Sequence, residues 1–265
     1  MVVGVIHLRA MPGDPAYTGG GFDAVIDAAL ADFDAYVEGG ADAVMVENFG
    51  SAPFRKGDAS SRIPAHQVAL TARVVTECKR RSDEIEIGVN CLRNDAHSAL
   101  GIAAACDASM IRVNVHSGAY VTDQGLIEGE AYETLRYRQS LGCDVAIWAD
   151  VLVKHATPLA PLDPVDATHD CVRRGMADAV IVTGAATGAS VDVELLETVS
   201  SASDGKPVLL GSGVSPEGLA RYGAWADGVI VGTWVKEEGV LSRPVDAARV
   251  RQLVDAANTH LRSKR

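Results

Sequence analysis

The stretch ADVLVKHA (149–156) sets Asp150, Lys154 and His155 close together at the end of an apolar run, and VMVENF (44–49) ends likewise with Glu47 and Asn48. A carboxylate that closes an apolar run can face a pocket whose desolvation raises its pKa toward neutrality, as general acid or base work requires. An amine in the same place can steady a developing oxyanion or form a Schiff base. The competing reading of Glu47 and Asp150 is a salt bridge closing a rim, with Arg112 or Lys154 as the cation.

In RVNVHSG (112–118), Arg112, Asn114 and His116 recur at every second position and so share one face of a strand. This spacing makes His116 the fourth candidate catalytic group, beside Glu47, Asp150 and Lys154. Asn48, Asn90, Asn94, Asp95, Arg112, Asn114 and Asp123 are amide, carboxylate or guanidinium groups placed to orient substrate hydroxyls. His7 reads as a hydrogen-bonded rim residue. Replacing Asp150 by Asn is expected to abolish turnover and leave the fold intact.

Three glycine-rich segments follow later apolar runs: TGAATG (183–188), GSGVS (211–215) and GT (232–233). Glycine lets backbone N–H groups approach an anion without Cβ interference, so Thr183, Gly184, Thr187, Gly188, Gly211, Ser212, Gly213, Gly232 and Thr233 form a candidate phosphate site. Tight turns alone are the alternative. No HExxH spacing occurs, so no cofactor is predicted; a divalent metal on Glu47, Asp123, Asp150 and His116 is the alternative. GxSxG, GxxxxGK[ST] and a GxGxxG after the first run are also absent, which removes the usual anchors for hydrolase, P-loop and dinucleotide readings.

The elements that must position these groups are eight Val/Ile-rich runs, at 2–7, 42–49, 86–90, 110–115, 144–151, 178–184, 207–213 and 227–233. Most lack clean alternation, as strands of a parallel sheet covered on both faces do. Helical patterns lie between them. Phe22, Ile26, Leu30, Phe33 and Val37 share three-and-four spacing ahead of a stop at Gly39; further helices are expected over 130–141, after Ser215 and Pro216, and from about Asp246. GADAVMV, MADAVIV and WADGVIV echo one another at three helix-to-strand connections. The chain therefore reads as α/β, a single (β/α)8 TIM barrel over residues 1–265, with an open doubly wound sheet as the alternative. Long segments after the first, second and fourth strands look like binding loops.

Nearly half the 265 residues are hydrophobic, yet no apolar run is long enough to cross a bilayer and no leader pattern opens the chain. A formal charge of −11 with no basic cluster argues against nucleic acid as a partner. Five cysteines without paired spacing fit a reducing, cytoplasmic setting. The 22 Asp and 13 Glu against 18 Arg and 6 Lys point to a high-salt cytoplasm, or to coding bias that favours Arg over Lys. Copies of the chain are expected to associate as a homo-oligomer, as barrels often do.

Taken in order, GVIHL, VMVENFGSAPF, GVNCLRNDA, RVNVHSGAYVTDQGLIEG, ADVLVKHA, VIVTGAATG, GSGV and ADGVIVGTWVK resemble the BtpA/SgcQ family, from Val3 to about residue 246. Ser51 stands where the family pattern has Asp, and Cys91 where it has an aliphatic residue. The resemblance implies a TIM-type barrel similar to the ribulose-phosphate-binding superfamily, with phosphate at 211–213 and 232–233. Its name-giving member is linked to photosystem I biogenesis, and other members sit among sugar-metabolism functions. The expectation is an isomerase or lyase acting on a small phosphorylated sugar or nucleoside-derived metabolite. Its rivals are a non-catalytic assembly factor and a metal-dependent phosphohydrolase or nucleosidase.

Overall fold

The computed structural model describes residues 1–57, 60–184 and 191–262. Eight parallel strands close into a barrel: β1 Val2–His7, β2 Ala43–Glu47, β3 Glu86–Asn90, β4 Met110–Val113, β5 Ala146–Val151, β6 Ala179–Val182, β7 Val208–Leu210 and β8 Gly228–Val231. Each strand pairs with its sequence neighbours and β8 returns to β1, so the sheet has no free edge. The helices α1 Gly21–Gly39, α2 Ala65–Arg81, α3 Ala96–Ala105, α4 Ala131–Leu141, α5 Pro164–His169, α6 Val193–Ala202, α7 Pro216–Tyr222 and α8 Ala247–His260 alternate with them. This is the (β/α)8 TIM barrel expected from the spacing of the apolar runs, not the open sheet.

Burial on both faces explains the unbroken apolar runs. Residues such as Val44, Val46, Ile87 and Val89 face the helices, while Val3, Val5, Met45, Met110, Trp148, Ile181, Leu209 and Ile230 fill the interior. The period of two then carries the interior upward from Val5 to His7, from Met45 to Glu47 and from Trp148 to Asp150. Register places His7 beside Glu47 and Glu47 beside Asn90. An apolar plug is thus topped by a polar layer at the strand C-terminal ends.

Helix ends follow local chemistry. Ser215 accepts from Gly218 N at 3.2 Å with Pro216 behind it, and Asp246 accepts from Ala248 N at 2.8 Å, as expected. The stop of α1 is Gly40, left-handed at φ 80°, instead of Gly39. Gly39 is needed for another reason, since a Cβ there would lie 2.4 Å from Val250 of α8. Phe22 opens the α1 pattern but stays exposed.

The repeated Asp of the echo has a common structural use. Asp42 accepts the N–H of Val2 at 2.6 Å, Asp178 that of Ile147 at 2.9 Å and Asp227 that of Val208 at 2.9 Å. Each ties the entry of its own strand to the preceding one. The segment after β4 is ordered: Ala119–Thr122 and Gly125–Glu128 form an antiparallel hairpin, and Thr157–Pro158 adds a third strand. Tyr120 and Ile127 bury its inner face against Val115 and Val153.

Candidate active site

A cavity of about 720 Å³ opens at the C-terminal ends of the strands. Its polar lining includes Glu47, Arg93, Arg112, Asn114, Asp123 and Lys154, with His7 and His155 beside them. Gly211, Ser212 and Gly213 after β7 and Gly232 and Thr233 after β8 form one wall. Apolar contributions come from Val5, Phe49, Phe54, Leu92, Val153 and Trp234.

Glu47 ends β2 facing this space. Oε2 accepts from Asn90 Nδ2 at 2.5 Å, and Oε1 lies 3.9 Å from His7 Nε2. Burial raises its pKa, against the opposing pull of Arg112 and Lys154. Burial lowers the pKa of Lys154, and Arg112 adds to that, while Glu47 and Asp150 oppose it. The same desolvation, with Lys236 and Lys154 nearby, brings His7 down to about 3, so this imidazole stays neutral at ordinary pH.

Asp150 takes the rim salt bridge. Arg112 donates to it from Nε at 3.2 Å and from Nη2 at 3.0 and 3.1 Å, and Asn114 Nδ2 donates at 2.8 Å. Fully buried beneath these donors, Asp150 does not border the cavity; Arg112 does. Bidentate anchoring fixes the guanidinium plane and leaves its further N–H groups to point elsewhere.

His116 corrects the every-second-residue reading. The strand ends at Val113, and His116 turns outward, where Nε2 donates to the carbonyl of Gly175 at 2.7 Å. A short π-helical turn, Asp170–Arg174, brings that carbonyl into place. Period-two alternation holds only while the backbone stays extended.

Several other predicted site residues hold loops instead of bordering the cavity. Asn48 brackets Leu92, accepting from its N–H at 2.6 Å and donating to its carbonyl at 2.9 Å. Asn94 does the same to Val115, at 2.6 and 3.0 Å. Asp95 caps α3 through Ser98 N and also accepts from Ile63 N and Arg62. Asn90 lies level with Glu47 and donates to it, without bordering the cavity. Gly184 donates to Ser212 Oγ at 2.9 Å, and Thr183 Oγ1 accepts from Lys154 N at 3.2 Å. Thr187 and Gly188 lie outside the described residues.

The glycine wall has packing reasons of its own. A Cβ on Gly232 would lie 2.4 Å from the His7 ring, and one on Gly211 2.5 Å from Ile181. Gly213 has φ +67°, which favours glycine. The four proposed metal ligands do not converge: Asp123 pairs with Arg93 at 3.5 Å, Asp150 with Arg112, and His116 with Gly175. Among the described residues no group of three or more His, Cys, Asp or Glu is placed to hold an ion.

Arg93, a polar residue that follows the third apolar run, joins the candidate groups on the cavity. It is buried, donates to the Lys154 carbonyl at 2.9 Å and borders the cavity. Its signal was its place in GVNCLRNDA, directly after a strand. Phe49, Phe54 and Trp234 reach the cavity from segments whose course no local pattern reveals.

Closed parallel barrel, outer helices and a polar cavity at the strand C-terminal ends define a TIM-barrel protein. Solved structures agree on the fold: the tryptophan synthase alpha chain of Legionella pneumophila (TM-score 0.59, 15% identity, covering 98% of this chain and 92% of that one) and phosphoribosyl anthranilate isomerase of Thermus thermophilus (0.55, 15%, 97% and 98%). The chain belongs to the BtpA family, which it matches over residues 1–259. It is 43% identical over 263 residues to the photosystem I biogenesis protein BtpA of Synechocystis sp., covering 99% of this chain and 90% of the relative. An uncharacterized protein of Pyrococcus furiosus is also 43% identical, over 97% of this chain and 95% of its own length. No helix among the described residues is long and apolar enough to cross a membrane.

Proposed function

We propose that the chain is a cytoplasmic acid/base enzyme, of isomerase or lyase type, acting on a small phosphorylated sugar or nucleoside-derived metabolite. One observation carries the reading: Arg93, Arg112 and Lys154 meet Glu47 on a single cavity in a chain whose net charge is −11. Cations gathered at one concave place attract an anion that the rest of the surface repels. The turns at 212–213 and 232–233 offer backbone N–H groups to a phosphate on the same wall, while the Gly211 N–H is taken by the Val182 carbonyl at 2.8 Å. Glu47 moves a proton next to a carbonyl, and Lys154 with Arg112 stabilises the oxyanion that develops. Asp150 acts through Arg112, as a positioning residue. The barrel fold shared with phosphosugar enzymes is compatible with this chemistry but selects no reaction.

A panel of phosphosugars tests the reading by thermal stabilisation and by NMR-detected turnover. Glu47→Gln is expected to lower any turnover by at least about 100-fold while keeping ligand-induced stabilisation. No stabilisation and no turnover across the panel would sink it.

The relative named for photosystem I biogenesis favours a second reading, a barrel retained as an assembly factor. A stable protein partner whose capture survives both Glu47→Gln and Lys154→Ala would support it. Self-association is proposed on the habit of such barrels and is read by light scattering.

A further inference from the structure

Beneath the cations the barrel's polar layer has a different character. Asn90 Oδ1, Asn114 Oδ1 and His7 Nδ1 are buried and have no hydrogen-bond partner among the described residues. Asn114 borders the cavity at 6% exposure, and Asn90, at 1%, sits on the level of Glu47 and His7. The amide orientations are set by their neighbours. Asp150, gripped by Arg112, can only accept, so Asn114 must turn its NH₂ toward it and its carbonyl away. Asn90 is turned the same way by Glu47 whenever that carboxylate is ionised.

Buried amide carbonyls left without a donor are destabilising, so a native site pairs them with a ligand or with ordered water, and one that borders a cavity is within reach of a ligand. Acceptors ask for donors. A phosphate, carboxylate or ketone oxygen set against this floor would oppose Asn114 Oδ1 and Glu47, acceptor against acceptor. A hydroxyl donates its proton to the amide carbonyl and can still accept from Lys154 or Arg112. We infer that the substrate end remote from the phosphate is a polyol, one of whose hydroxyl protons bonds Asn114 Oδ1, so that Asn114 sets specificity. This rests on the anion-substrate reading of the cavity, and of the two substrate classes named there it selects the sugar.

Isothermal titration of the full chain with ribitol 5-phosphate, n-pentyl phosphate and inorganic phosphate tests it. Ribitol 5-phosphate is expected to bind at least about tenfold more tightly than n-pentyl phosphate, despite the apolar walls that favour the bare chain. In Asn114→Ala the ratio of the two affinities is expected to fall toward one, which a general loosening of the site would not produce. The wild-type ratio decides the matter even if that variant fails to fold. Equal or tighter binding of n-pentyl phosphate overturns the polyol assignment and leaves the anion site standing. Binding of none of the three phosphates overturns the anion reading and the polyol with it. Mg²⁺ alone raising the melting temperature of the wild type but not of Asn114→Ala also overturns the inference, giving the acceptors to a cation.

Discussion

Glu47 and Asp150 end neighbouring parts of one polar layer, yet their surroundings give them opposite consequences on mutation. Burial raises the Glu47 pKa, so the native state binds that proton more tightly than the unfolded chain does. Stability therefore falls as pH rises from the ordinary carboxyl range through the folded-state pKa. Glu47→Gln is expected to remove this slope and to raise the melting temperature above that range, measured by melts from pH 4 to 8. Asp150→Asn should do the reverse, because it leaves Arg112 and Asn114 short of acceptors in a buried place. A loss of about 3 kcal/mol is expected, visible by chemical denaturation, so the fold is not indifferent to that change. His7 supplies a third test. Its folded pKa of about 3 lies below the unfolded value near 6.5, so the unfolded chain takes up the proton between them. The contribution of His7 to stability rises with pH across that window and then levels off, opposing the fall contributed by Glu47, so His7→Asn should shift the net profile toward a fall with pH there.

At the scale of elements, the strands are held at both ends by side chains. The Asp of each Ala-Asp repeat anchors a neighbouring strand from below, and Asp42→Ala isolates the simplest case, leaving the Val2 N–H without its acceptor. A cost of about 1–2 kcal/mol is expected, read as a shift of the denaturant midpoint with unchanged slope. From above, the His7 ring packs on the bare backbone of Gly232. Gly232→Ala must displace that ring and is expected to cost about 1–3 kcal/mol. It should also disturb the cavity wall that Gly232 shares, so the ligand-induced shift in melting temperature should fall with it. Loop anchoring follows a similar rule: Asn48 and Asn94 fasten the segments that carry Arg93 and lead toward the hairpin, although neither borders the cavity.

Over the whole molecule, acidic excess and internal order have to be separated. Asp95, Asp163, Asp192 and Asp246 cap helices, and Asp42, Asp178 and Asp227 anchor strands, so much of the Asp count serves the fold. We propose that the remaining surface charge still favours salt. The melting temperature is expected to rise by a few degrees between dilute buffer and molar KCl, where screening acts within about 3 Å. A flat response would assign the Asp richness to caps and anchors. The barrel was legible in the sequence because a strand buried on both faces must be apolar along its length, and eight such runs alternate with amphipathic helices. Glu47, Arg112, Asn114 and Lys154 were legible as cavity residues because they end those runs or follow one closely. Their division of labour was not. Whether a carboxylate meets Arg112 or open space depends on which strands neighbour it across the closed sheet, and whether His116 points inward depends on where the strand stops. Composition and periodicity determined the layers and the rim; only closure of the barrel decided which polar groups satisfy one another and which face the cavity.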